Sequence, residues 1–112
     1  MTKLEGRLKR VLLDYYWRAH DEELRRALAG LASDFDAWKV DGISNEELSE
    51  RIHKFHDGVS REIFNRYDGK MLEVTVARAI VKGILERSQI PGDLQEHLGR
   101  SIEVSVTDEA RS

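Results

Sequence analysis

The run Arg51-Ile52-His53-Lys54-Phe55-His56-Asp57-Gly58 gathers the residue types best able to do chemistry in this chain. Two imidazoles and a carboxylate at such close spacing suit a divalent ion or a proton exchange. A helix turns by about 100° per residue, and that turn separates the two histidines. With Leu48, Ile52, Phe55 and Val59 as the core direction, His56 falls roughly 50° from the stripe's centre and His53 roughly 110° away. His56 is therefore expected as a partly buried histidine bonded to a neighbour. The stronger set is Glu46, Glu50, His53 and Asp57, spaced four, three and four along one face.

Within that set Glu50, His53 and Asp57 offer a metal ion three ligands across two turns. A Glu-x-x-His pair is the building block of di-iron bundles, which need one such pair from each of two helices. Glu50/His53 is the only one in the chain, so a metal-binding function would have to borrow a ligand, such as His20 or His97, from elsewhere. The simpler expectation is a solvated face on which carboxylates pair with the imidazole at i, i+3 and i, i+4. No cofactor is called for.

Other chemistries are weaker still. Aligning Gly42 with the glycine of an EF-hand loop puts Ala37 and Lys39 at ligand positions and Leu48 where the closing glutamate belongs. Phosphate-binding glycine loops, a nucleophile elbow and a zinc-protease helix motif are missing. Zero cysteines exclude disulfides and thiolate chemistry and agree with a cytoplasmic setting. A non-catalytic protein is the expectation.

The elements that position these residues follow from apolar spacing. Leu4, Leu8, Val11, Leu12, Tyr15 and Ala19 predict a first helix from Lys3 to Ala19. A break is expected at His20–Glu23, followed by a second helix on Leu24, Leu28, Leu31, Phe35 and Trp38 that ends at Val40-Asp41-Gly42. Ser44 and Glu47 form a capping box for a third helix on Leu48, Ile52, Phe55, Val59, Ile63 and Tyr67. A fourth, Lys70 to Ser88, is apolar on most sides and should be central, with Ala79 and Gly83 letting a neighbouring backbone approach. A short turn from Asp93 stops at Gly99, and residues 101–107 then alternate apolar and polar, a strand pattern with no strand to pair with.

The fold class expected is all-α: a four-helix bundle or related helical array over residues 1–99, with a strand-prone or disordered tail over 100–112. At 112 residues the chain can build one core, and 40% hydrophobic with 35% charged residues marks a folded, soluble type. No apolar run approaches the ~20 residues of a membrane span, and no apolar signal region follows the basic start. The net charge is −3. Residues 1–18 hold five basic against two acidic side chains, and residues 93–112 the reverse, so the two ends could attract one another. Lys3, Arg7, Lys9 and Arg10 are too few for nucleic-acid binding in an acidic chain.

One feature favours association. Trp17 projects about 160° from the core stripe of the first helix, with Leu13 one turn earlier on that back face and His20 nearby. Tryptophan opposite a core face marks either a helix buried on two sides or a contact with a protein partner or a second copy. The alternating tail, through Ile102, Val104 and Val106, is the second candidate, by adding a strand to a partner's sheet edge.

Overall fold

The computed structural model describes residues 6–111, with side chains as far as residue 108. It is an all-α helical array, and no strand occurs among the described residues. Lys3 and Leu4, at the expected start of the first helix, lie outside them. Helix α1 runs from Gly6 to Lys39, α2 from Asn45 to Phe55, α3 from Arg61 to Arg66, α4 from Leu72 to Val81 and α5 from Gly92 to Arg111. A π turn at His56–Ser60 joins α2 to α3, so these three form one rod; among the described residues a short 3-10 turn at Arg87–Gln89 precedes α5. None is long and apolar enough to cross a membrane. The chain divides into two compact units, one of residues 6–20 with 69–111 and the other Asp21–Asp68.

The expected break at His20–Glu23 does not occur: α1 is continuous for 34 residues. Asp21 can cap a helix only where one starts. Within a helix already nucleated, adding a residue costs far less than starting again. Nothing at 20–23 is glycine or proline, and Glu22 instead reaches forward to Arg26 at 3.6 Å.

In the first unit the core draws on three helices. Leu12, Tyr16 and Ala19 of α1, Val76, Ala77 and Ala79 of α4, and Leu94 and Leu98 of α5 are completely buried. The buried Tyr16 hydroxyl accepts the Gly69 N–H at 2.8 Å, and Tyr15 donates to the Gln89 carbonyl at 2.8 Å. The opposed charges of the two ends do meet, as an ion pair between Arg7 and Asp93.

Helix α4 is short. It ends at Val81 rather than Ser88, because Gly83 adopts a left-handed φ of +73°. The Ile84 N–H then returns to the Ala79 carbonyl at 2.9 Å and the Gly83 N–H to that of Ile80 at 3.1 Å, a Schellman ending. Gly83 is thus a helix stop, while Ala79 alone is packed.

Residues 101–107, expected as a strand, continue α5. Leu94, Leu98 and Ile102 recur every four residues, and all three are buried. This 3.6-residue periodicity overrides the local alternation because it buries Ile102 on a stripe already packed. Gly99 stays in the helix with no left-handed φ, so it does not act as a stop.

The second unit is an antiparallel hairpin of α1, from Asp21 onward, with the α2–π–α3 rod. Asp41 (φ 60°) and Gly42 end α1, the Gly42 N–H bonding the Ala37 carbonyl at 2.7 Å. A Cβ on Gly42 would meet that oxygen at 3.0 Å, which explains the glycine. Ser44 caps α2 by accepting the Glu47 N–H at 3.0 Å. Only half of the capping box forms, because the Glu47 carboxylate turns to Arg51 at 2.9 Å. Polar contacts clasp the hairpin at three levels: Trp38 donates to Asn45 at 2.7 Å, Arg51 to Asp34 at 2.7 Å, and Arg66 and Tyr67 to Glu23. Its buried apolar residues are only Leu48, Ile63 and Tyr67.

Candidate functional site

The run from Arg51 to Gly58 comes apart in three dimensions. His53 contacts Asp57 at 3.0 Å, while Glu50 pairs with Lys54 at 3.2 Å. Asp57 also faces Arg61 at 3.9 Å. Glu50, His53 and Asp57 therefore do not converge, and no group of three or more His, Asp or Glu side chains suited to a metal ion forms among the described residues. His20 and His97, the two histidines needed to complete such a set, are engaged elsewhere. His97 lies 3.8 Å from Glu73, and the His20 ring meets Trp17 edge-on. His56 is exposed rather than partly buried, because the covered face of α2 centres on Leu48, Arg51 and Phe55, and Ile52 and His56 lie to one side of it.

Arg51 is held from two sides in the second unit. Its guanidinium bonds Glu47 on its own helix and Asp34 across the hairpin. The hydrogen bond to Glu47, and after it the one to Asp34, raises its pKa above the ordinary arginine value, so it is charged at any working pH. Planar two-sided donation of this kind fixes the level of the two helices relative to each other. Arg51 is thus a structural clasp of the hairpin.

The aromatic surface of α1 survives as a coherent feature. Trp17 is 47% exposed and Leu13 42%, one turn apart, while Leu12, Tyr16 and Ala19 on the opposite side of the same turns are sealed in the core. Its ring meets Tyr16 edge-on at 4.9 Å and His20 edge-on at 5.6 Å, a geometry that aromatic pairs favour. His20 itself is half-buried. This excludes the reading of Trp17 as plain core: α1 is not sandwiched here.

The tail candidates divide. Ile102 is 5% exposed and belongs to the core of the first unit, out of a partner's reach. Val104 and Val106 remain exposed at 54% and 51%. Two residues apart on a helix, they point about 200° away from one another and make no shared face. Of the cations weighed for nucleic acid, Lys3 lies outside the described residues and Arg7 is engaged by Asp93, leaving Lys9 and Arg10 exposed.

Residue-level reading missed the exposed apolar residues on the flanks of the second unit. Leu28, Trp38, Ile52 and Val59 are 47%, 37%, 40% and 45% exposed. The signal for it was available: two facing helices cover only one stripe each, and both stripes here are wide.

Compared with models of known protein families, with characterised proteins and with solved structures, the chain matches none.

Proposed function

We propose that the protein works by association, as a homo-oligomer, a regulatory factor or a subunit of a larger assembly, without catalysing a reaction. Leu13, Trp17 and His20 form its recognition face, and a cytoplasmic setting belongs to the same reading. The observation that supports it is Trp17, half exposed and in edge-on contact with Tyr16 and His20 on a helix whose other face is fully buried. An exposed tryptophan beside a leucine is the composition of an interface hot spot.

Trp17→Ala tests it. The side chain lies outside the core, so the melting temperature should change little, while sedimentation and affinity enrichment should lose any association that the natural chain shows. A variant that melts like the natural protein and keeps all of its partners removes Trp17 from the recognition face. So does a natural chain that stays monomeric and retains nothing that the variant does not.

A further inference from the structure

The charges of α1 in the second unit fall into two classes. Glu22 pairs with Arg26, Glu23 with Arg66 and Tyr67, and Asp34 with Arg51. Asp21, Arg25, Asp36 and Lys39 are exposed, and no ion pair or hydrogen bond joins them to any partner among the described residues. At about 100° per residue these four lie within an arc of roughly 60°. The paired charges point elsewhere.

Between them on the same face stand Leu28, Ala32 and Phe35. Asp21, Arg25, Leu28, Ala32, Phe35 and Lys39 follow one another at spacings of four, three, four, three and four. This is the repeat by which two helices interlock along a seam. Leu28 is 47% exposed and Ala32 is exposed, so the seam is uncovered in the single chain.

The order of charges along it is acidic, basic, acidic, basic. Reversed, it reads basic, acidic, basic, acidic, so the face is complementary to itself run backwards. We propose that this seam binds the same segment of a second copy, antiparallel, about a twofold axis level with Gly30. Asp21 of one helix then comes level with Lys39 of the other, both being nine residues from Gly30. Arg25 meets Phe35 and Asp36, and Leu28 faces Ala32. Each contact occurs twice, as a twofold interface requires. A parallel pairing would set like charge against like at every level and is disfavoured by the same arrangement. Ala32 at the centre lets the two helices approach closely. The paired segment starts at Asp21 and ends at Lys39, the stretch that α1 contributes to the second unit. A single helical face is smaller than the ~800 Å² per partner of a standard stable interface, so the dimer is a reversible one.

This deepens the association reading by adding a surface and naming its partner, and the experiment keeps the two apart. The full chain is studied by sedimentation equilibrium from micromolar to millimolar concentration, with Arg25→Glu, Asp36→Arg and the two combined. The natural chain should dimerise. Each single exchange puts like charges together at two symmetry-related places and should weaken the dimer by about tenfold or more. The double variant restores opposite charges and should return to within about threefold of the natural affinity. Both positions are exposed, so helicity should be unchanged by circular dichroism. A natural chain still monomeric at millimolar concentration, single variants as tight as the natural chain, or a double variant no better than the singles overturns the proposal. Trp17→Ala should leave this dimer intact. If it abolishes self-association while the charge exchanges do not, the contact belongs to the Trp17 face and the seam is refuted. If the charge exchanges behave as expected and Trp17→Ala changes nothing in any assay, the seam stands and the Trp17 face falls.

Discussion

Helix α1 runs unbroken through both units, yet its two halves live differently. Residues 6–20 bury Leu12, Tyr16 and Ala19 completely; residues 21–39 contribute no fully buried side chain. The cause is the number of helices in each unit, since the apolar content of the two halves is similar. In the first unit α1, α4 and α5 supply side chains from three elements, enough to enclose Leu94, Leu98 and Val76 from every side. The second unit is a two-layer hairpin, and two helices can cover only the stripe between them. Leu28, Ile52 and Val59 sit on its flanks and stay half exposed. Across its small enclosed area the hairpin is joined by the polar clasps at Trp38, Arg51 and Glu23. Such clasps specify register more than they stabilise, because partly exposed ion pairs contribute little.

The comparison can be broken most directly with a matched pair of leucines. Leu98, fully buried on α5, and Leu48, 6% exposed on α2, are each replaced by alanine. Leu98→Ala should cost about 3–5 kcal/mol, since the three-helix core leaves a cavity that cannot close. Leu48→Ala should cost about 2–3 kcal/mol, since half-exposed neighbours can shift into the gap. Urea denaturation measures both, and hydrogen exchange should show amides of residues 21–68 opening before those of the first unit. Equal costs, or the reverse order of exchange, would show that the number of helices does not set the stability of each unit.

The sequence was legible where one periodicity spoke alone. The apolar stripes found helix along α1, the α2–α3 rod and the core of α4, although they broke α1 at His20–Glu23 and ran α4 on to Ser88, and Ser44 marked the start of α2 correctly. It misled wherever a local signal competed with a longer one. Asp21 resembles a cap, but it sits inside a helix already under way. Residues 101–107 alternate like a strand, but Ile102 extends the Leu94–Leu98 stripe, and only the packed core reveals which pattern wins. The aromatic surface was half legible: helical spacing put Trp17 opposite the core, but only burial could tell a second buried face from an open one. The metal set failed for a local reason, since Glu50 pairs with Lys54 and Asp57 faces Arg61, each one turn away.

A smaller effect tests how the first unit keeps α4 short. Gly83 holds a φ of +73° with no atom within 4 Å of the position where a Cβ would stand. Gly83→Ala therefore meets no clash, and its cost is purely that of the left-handed backbone, about 1–2 kcal/mol. Thermal melting followed by circular dichroism measures it. A cost near zero would mean that the chain after Val81 can continue the helix instead, which far-ultraviolet helicity would register as a gain.

The smallest effect carries the opposite sign and belongs to the second unit. Gly58 lies in the π turn, in an ordinary right-handed helical conformation, with open space around its Cα. If the turn arises from packing on either side of it, alanine fits without strain and removes freedom only from the unfolded chain. Gly58→Ala should then stabilise the protein by about 0.5–1 kcal/mol, read as a shift of the urea midpoint at constant slope. If the extra residue of the π turn is accommodated only because glycine gives way, the same change should destabilise and move exchange protection across residues 55–61. The sign of one methyl group thus decides whether the weaker unit is limited by its backbone or by the apolar flank that two helices leave uncovered.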